Sequence, residues 1–123
     1  MPTISEALEK VLDELLTTNG GIEASALVSR DGLLMASNVG GDLRPETFAA
    51  LGASISNVAE SALAKLNKGA VNRIIVETKD GNIITESVDT KALLVTLTKR
   101  GPSELRPILS DIEKAANKVK KTL

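Results

Sequence analysis

The spacing of hydrophobic residues changes along the chain and predicts which segments are helices and which are strands. Apolar residues recur at helical intervals from Ile4 to Leu15, and they alternate with polar residues from Ile22 to Ser29. A period near 3.6 residues indicates an amphipathic helix, whereas a period of two indicates a strand. Thr3 and Glu6 have the spacing of a capping box, which places the helix start here. The chain therefore begins with a helix followed by a strand.

Turn residues divide the rest of the chain. Arg30-Asp31-Gly32 predicts a tight turn before a second strand, Leu33–Asn38, and Pro45 favours the start of a long helix that reaches Leu66. The remaining predicted elements are strands Val71–Thr78, Asn82–Val88 and Ala92–Thr98 and a last helix, which starts near Ser103 or near Pro107 after Gly101-Pro102. Short turns between strands imply antiparallel pairing. We expect one domain over residues 1–123, an α/β (α+β) sandwich with a five-stranded antiparallel sheet covered by helices.

The long helix carries two distinct faces. Its apolar stripe comprises Phe48, Leu51, Ile55, Val58, Ala62 and Leu66. A second face comprises the small residues Ala50, Ala53, Ser54, Asn57, Ser61 and Ala64. Small side chains would let another backbone approach closely, which favours packing against a second copy, although a solvated face of good helix formers is the alternative. We expect Phe48 to anchor the core.

The third strand is a candidate for pairing with another chain. Val71–Thr78 contains the apolar run Ile74-Ile75-Val76 between Arg73 and Glu77. If the strand lies at an edge of the sheet, its unpaired backbone groups invite a partner strand. If it lies inside the sheet, both of its sides are already paired. The predicted dimer interface therefore combines two segments: Ala50, Ala53, Ser54, Asn57 and Ser61 on the helix, and Val71, Arg73, Ile75 and Glu77 on the strand.

Composition narrows the chemistry available to the chain. There is no cysteine and no histidine, which excludes thiolate chemistry and disulfides and removes the commonest metal ligand and neutral-pH base. Phe48 is the only aromatic residue, and the net charge is −1, so neither base stacking nor a positive field favours nucleic acid. No apolar run is long enough to cross a bilayer, and the first residues lack a basic leader. We expect a cytoplasmic, non-catalytic protein without cofactor, metal or membrane insertion.

Five arginines are candidates for a catalytic role, because an arginine finger can stabilise the charge that develops in the transition state of phosphoryl transfer. The candidates are Arg30, Arg44, Arg73, Arg100 and Arg106, and we favour a solvated position for each. Asp31, Asp80 and Asp89 occupy predicted turns, which explains them without a metal. No glycine-rich segment is followed by Lys-Ser/Thr at phosphate-loop spacing, so the chain is not itself a GTPase of that type.

Two segments resemble the Roadblock-type dynein light chain family. The first runs from Gly21 to Ser37 (GIEASALVSRDGLLMAS) and is similar to the family's first hairpin. The second runs from Arg73 to Ile84 (RIIVETKDGNII) and is similar to its third and fourth strands. The Ala/Ser-rich helix from Pro45 lies between them at the expected place. The resemblance covers nearly the whole chain, and the aromatic-poor composition favours a prokaryotic member, with an archaeal one as the narrower expectation.

The resemblance implies a profilin-like or longin-like fold, with the central helix on one face of the sheet and the terminal helices on the other. It also implies homodimers that pair through their third strands and central helices. Family members bind small Ras-like GTPases, some as GTPase-activating proteins, so the implied function is regulation of such a GTPase. The alternatives are a structural scaffold or motor light-chain-like subunit without effect on GTP hydrolysis, and a small-ligand sensor.

Overall fold

A computed structural model describes residues 2–99 and 105–123 of the chain. The elements in chain order are α1 (Ile4–Thr18), β1 (Ile22–Ser29), β2 (Leu34–Val39), α2 (Pro45–Lys65), β3 (Arg73–Thr78), β4 (Gly81–Ser87), β5 (Ala92–Thr98) and α3 (Leu105–Thr122). This is the predicted order. The alternative start of the last helix near Ser103 and the break at Gly101-Pro102 lie outside the described residues.

The boundaries of the elements follow local chemistry. Thr3 caps α1: its side chain accepts a hydrogen bond from the Glu6 amide, and the Glu6 carboxylate accepts one from the Thr3 amide, as the capping box predicts. Several predicted strand ends were wrong by one or two residues. β2 begins at Leu34, after the exposed Leu33, and β3 begins at Arg73, because Val71 precedes the ladder with β4.

The sheet has the strand order β2-β1-β5-β4-β3, and all of its pairs are antiparallel. The two hairpins, β1–β2 and β3–β4, lie at opposite sides of the sheet, and β5 joins them by pairing with both β1 and β4. The edges are therefore β2 and β3. Of the two positions that the sequence left open for the third strand, edge or interior, the structure shows the edge.

Helices cover both faces of this sheet. On one face, which we call the α1/α3 face, side chains of α1 and α3 pack on the sheet in a core that includes Leu12, Leu27, Ile84 and Ile112. On the other, the α2 face, Phe48 is buried with β1 and β5 side chains. The α+β arrangement of a profilin-like fold, with the central helix on one face and the terminal helices on the other, is confirmed.

The buried side of α2 differs from the sequence prediction. Leu51, Val58 and Leu66 of the predicted apolar stripe are exposed at 54%, 71% and 65%. The helix instead buries its smallest residues, Ala49, Gly52, Ala53 and Ser56, together with Phe48. A Cβ on Gly52 would overlap the Val95 side chain, so the backbone of α2 lies almost directly on β5. Small residues shorten the distance between helix and sheet within this chain.

Candidate interaction surface

The β3 edge, residues Arg73–Thr78, is an open strand. All six residues pair in regular antiparallel register with β4, and in the described part of the chain no strand lies on their other side. Among residues 2–99 and 105–123, no helix packs along β3 as α1 packs on β2. Backbone groups that point away from β4 therefore lack strand partners among the described residues, which is the state in which a strand edge pairs with another chain.

Side chains of β3 divide between the two faces of the sheet. Ile75 lies opposite Ile84 and packs against the α1/α3 core. Since successive strand residues point to opposite faces, Arg73 and Glu77 share the α1/α3 face with Ile75, whereas Ile74, Val76 and Thr78 lie on the α2 face. Val76 is 40% exposed, although it is a large apolar residue.

Arg73 is tied to the neighbouring strand. Its Nε donates to Glu86 Oε1 at 2.6 Å and its Nη2 donates to Glu86 Oε2 at 3.1 Å, a bidentate ion pair across the β3–β4 hairpin. The Glu86 carboxylate raises the pKa of Arg73 above its ordinary value, against an opposing effect of burial and with a smaller contribution from Glu113 on α3. Arg73 is thus a half-buried, ion-paired structural residue and not the fully solvated arginine that the sequence suggested.

Arg30 is also held in place. Its Nη2 donates to Ser87 Oγ at 2.7 Å and to the Asp89 carbonyl at 2.8 Å, and its Nη1 lies 3.7 Å from Glu60 Oε1. The same Glu60 oxygen accepts a hydrogen bond from the Val71 amide at 3.0 Å. These bonds connect the β1–β2 and β4–β5 turns to α2 and to the segment that enters β3. The expectation of a solvated Arg30 was therefore wrong as well, whereas Arg44 and Arg106 are exposed and Arg100 lies outside the described residues.

A groove of about 580 Å³ runs between the end of α2 and β3 on the α2 face. Its lining includes the apolar residues Ala59, Leu63, Val71 and Ile74. The groove ends at the open edge of the sheet, so an incoming strand and an incoming helix would both reach it. The apolar lining favours a protein partner over a charged ligand.

Two lines of exposed residues run along α2. Leu51, Val58 and Ala62 follow one another at seven- and four-residue intervals and form an apolar line. The small residues of a second, more polar line recur at four-, three- and four-residue intervals: Ala50, Ser54, Asn57 and Ser61. Exposed leucine and valine in such a line are typical of an interaction face. Leu51 and Val58 belong to the apolar stripe that the sequence predicts. They are exposed because α2 packs on the sheet through its other side, with Ala49, Gly52 and Ala53 in the core.

The structure divides the predicted interface residues as follows. Ala50, Ser54, Asn57 and Ser61 are exposed on α2, and Val71, Arg73, Ile75 and Glu77 are exposed or half-buried at or beside the β3 edge. Ala53 is 3% exposed and belongs to the α2-face core, so its inclusion in a surface for a second copy was wrong. The ion pair of Glu86 and the contacts of Glu60 with Arg30 and Val71 were not predicted. The pairing of Glu86 with Arg73 follows from the sequence if residues are counted outward along both strands from the Lys79-Asp80 turn.

A polar depression of about 410 Å³ lies between α3 and the ends of β3 and β4. Arg73, Glu86 and Glu113 contribute to its lining, with Asn72 and Asn117 beside them. Because Arg73 already binds Glu86, the charges here largely serve the fold. Within residues 2–99 and 105–123, no three Asp or Glu side chains converge as a metal site requires, and no helix is long and apolar enough to cross a membrane.

Comparisons with known proteins agree with this architecture. The chain is 32% identical over 114 residues to each of two uncharacterised proteins of Methanocaldococcus jannaschii, which covers 92% of this chain and 96% of each relative. Among solved structures, the gliding protein MglB of Thermus thermophilus superposes with a TM-score of 0.87 at 17% identity, over 99% of this chain and 92% of that one. MglB of Myxococcus xanthus gives 0.88 at 16% identity, over 98% and 90%. A structure of MglB with a tetrameric arrangement gives 0.88 at 19% identity, over 99% and 91%.

The family model assigns most of the chain. It describes the Roadblock/LC7 domain and matches residues 8–98, from the middle of α1 to the end of β5. This range contains both hairpins and the central helix, the segments on which the resemblance rested. The chain belongs to the Roadblock/LC7 domain family.

Proposed function

We infer that this chain is a homodimeric protein-interaction module that binds and regulates a small Ras-like GTPase. The observation that carries the dimer is the open β3 edge, which keeps a regular ladder on one side and no strand partner among the described residues on the other. Pairing with a second copy would extend the sheet and cover Ile74 and Val76 beside the groove. MglB, to which the chain is similar in fold, adopts a tetrameric arrangement in one structure, which supports self-association.

The exposed faces of α2 supply the second element of this proposal. The line of Ala50, Ser54, Asn57 and Ser61 consists of small residues, which would let the α2 helices of two protomers approach closely. The apolar line of Leu51, Val58 and Ala62 would then lie beside the join between the protomers and form a surface wider than one protomer offers. A composite apolar surface of this kind suits a folded protein partner.

Ras-like GTPases are the partner class that the family resemblance implies. Arg30 and Arg73 are poorly placed to act as an arginine finger, because they bind Ser87, Asp89 and Glu86. Arg44 and Arg106 are exposed. The family resemblance implies that the regulation acts by positioning the GTPase's own groups, so that the catalytic residues belong to the GTPase.

Binding to Ras-like GTPases of the source organism tests this function directly. Each GTPase is loaded either with GDP or with a non-hydrolysable GTP analogue, and its affinity for the chain is measured by biolayer interferometry. We expect tighter binding of one nucleotide form and a changed rate of single-turnover GTP hydrolysis. Val58→Glu should abolish binding, whereas Glu9→Lys on the exposed side of α1 controls for a change of surface charge away from α2 and should not.

The alternative of a structural scaffold predicts a different result. A dimer that binds no GTPase in either nucleotide state would overturn the GTPase half of the proposal and leave the scaffold. A chain that stays monomeric at micromolar concentration in light scattering would overturn the dimer half.

A further inference from the structure

If the β3 edge pairs with a second copy as proposed above, the order of charged and apolar residues along the edge favours one register of that pairing. On the α1/α3 face the edge presents Arg73, Ile75 and Glu77 in that order, a positive, an apolar and a negative residue at equal spacing. Reversing this series exchanges the two charges and leaves the apolar residue at the centre. An antiparallel partner of identical sequence presents the series in reverse.

Symmetry leaves few registers. Two copies that pair edge to edge about a two-fold axis perpendicular to the sheet keep the same face up, and residues directly opposite one another must share a face. The axis must then lie midway between the two copies of one residue, and not level with the bond between two successive residues. For substantial overlap of this short strand, the axis lies at Ile74, Ile75 or Val76.

The three registers differ in which residues they oppose. With the axis at Val76, Arg73 opposes the partner's Lys79 and Ile75 opposes the partner's Glu77. With the axis at Ile74, Arg73 opposes the partner's Ile75. Like charges directly opposite one another destabilise a strand pair, and a charge opposite an apolar residue is not among the pairings that stabilise one.

With the axis at Ile75, every opposed pair between Arg73 and Glu77 is complementary. Ile75 meets the partner's Ile75, Ile74 meets the partner's Val76, and Arg73 meets the partner's Glu77. Each of these pairings is of a type that stabilises antiparallel strands. Because the contact is symmetric, the Arg–Glu pair occurs twice.

Arg73 has donors left for this contact. A guanidinium carries five N–H groups, and Glu86 accepts hydrogen bonds from Nε and Nη2 only. Nη1 has no hydrogen-bond partner among the described residues and can bind a second carboxylate. Glu77 is exposed and, among the described residues, makes no ion pair with its own chain.

We propose that two copies of this chain join through their β3 strands in the single register that centres on Ile75, with Arg73 of each protomer bound to Glu77 of the other. Glu77 thereby determines the choice of partner, because a β3 edge without an acid at this position leaves Arg73 unmatched. The partner that this edge selects is a second copy of the chain.

Cysteine scanning reads the register directly, because the chain has no cysteine of its own. Three single variants, Ile74→Cys, Ile75→Cys and Val76→Cys, are purified reduced and oxidised with diamide. Directly opposed Cα atoms lie about 4.5–5.5 Å apart, within disulfide reach, whereas residues offset by two positions lie roughly 7–8 Å apart. We expect covalent dimer from Ile75→Cys, at least about five times faster than from the other two. Glu9→Cys on α1 controls for random collision.

Each other outcome overturns the register, and the outcomes separate it from the proposed function. Faster cross-linking of Ile74→Cys or Val76→Cys would leave the dimer in place with another register. A dimer in light scattering that cross-links at none of these positions would reject β3 as the interface. Monomeric behaviour of the native chain would reject both proposals.

Charge reversal tests the Arg73–Glu77 contact independently. Glu77→Lys should weaken the dimer by about tenfold or more, because each Arg73 would face a lysine. Lys79→Glu is the matched reversal two residues away and should change the affinity by less than about twofold. If the axis lay at Val76 instead, Lys79→Glu would strengthen the dimer by placing an acid opposite Arg73, which would contradict the inference.

Discussion

The two edges of the sheet, β2 and β3, differ in how far they are protected. The ladder of β2 with β1 is interrupted by a bulge at Leu27–Val28, and both α1 and α2 pack on β2. Asn38 of β2 also donates a hydrogen bond to Asp13 of α1 at 2.6 Å. The β3 edge has a regular ladder, and the part of the chain that the structure describes gives it no comparable cover. Irregularity and cover block strand addition. Protection of an edge therefore depends on its neighbours more than on its own residues.

Matched aspartates at the two edges should give the largest difference. Ile75→Asp on β3 would place two like charges directly opposite each other in the dimer and should weaken it at least about 100-fold, or about 3 kcal/mol. Ser37→Asp on β2 should leave the association unchanged. Sedimentation equilibrium measures both, and circular dichroism checks that each variant folds. Equal effects at the two edges would contradict the difference between them.

Two glycines offer a second contrast. Gly81 is the first residue of β4, directly after the turn of the β3–β4 hairpin, and has φ +155°. A Cβ at this position would lie 2.5 Å from the Thr98 carbonyl oxygen. Gly81→Ala should therefore lower the free energy of unfolding by about 2–3 kcal/mol. Gly40→Ala, after β2, meets no atom within 4 Å and should be neutral or slightly stabilising. Urea denaturation measures both, and a neutral Gly81→Ala would show that the hairpin shifts without cost.

The ion pair of β3 should have a smaller effect on folding. Arg73→Met removes two charge-assisted hydrogen bonds and leaves Glu86, which is 8% exposed, without its partner. We expect a loss of about 1–2 kcal/mol, reduced because Arg73 is partly solvated. A double-mutant cycle with Glu86→Gln isolates the coupling, and additive effects would mean that the two residues act separately. Since the pKa of Arg73 is raised, its charge persists until far above neutral pH, and any loss of this pair on the arginine side occurs only as the pH rises through that raised value.

The side-chain link of β2 should matter least. Asn38→Ala breaks the hydrogen bond to Asp13, which is exposed to water, and should cost no more than about 0.5–1 kcal/mol in urea denaturation. The bulge and the helices remain, so the β2 edge should stay closed to association. New oligomers of Asn38→Ala in light scattering would show that this hydrogen bond alone protects the edge.

The order of elements could be predicted from the sequence because it depends on local patterns. Helical spacing, the Thr3–Glu6 cap and the Asp-Gly turns each act over a few residues and matched the structure. The packing of α2 could not be predicted in the same way. Its largest apolar residues, Leu51 and Val58, have the helical spacing of a core face, yet the contact of Gly52 with Val95 brings the other side of the helix to the sheet.

The candidate surface was predictable in part for a related reason. The apolar run Ile74-Ile75-Val76 indicated a strand suited to pairing, but its position at the edge depends on β5 pairing with β1 and β4. The roles of Arg30 and Arg73 depend on contacts between distant segments: Arg30 reaches Ser87 and Asp89 across the sheet end. The spacing of neighbouring residues does not predict contacts between segments so far apart in the chain.

The position of β5 at the centre of the sheet also bears on how the chain folds. Its strand partners include β1, near the other end of the chain, with Ile22 opposite Thr98. Each hairpin can form from neighbouring residues, but the two halves can join only after β5 has left the ribosome. Contacts between such distant residues slow folding, since a long loop must close before they form. We therefore expect an intermediate during synthesis in which the β1–β2 hairpin has formed but β1 has not yet paired with β5. The unpaired side of β1 is then accessible to chaperones and to other nascent chains.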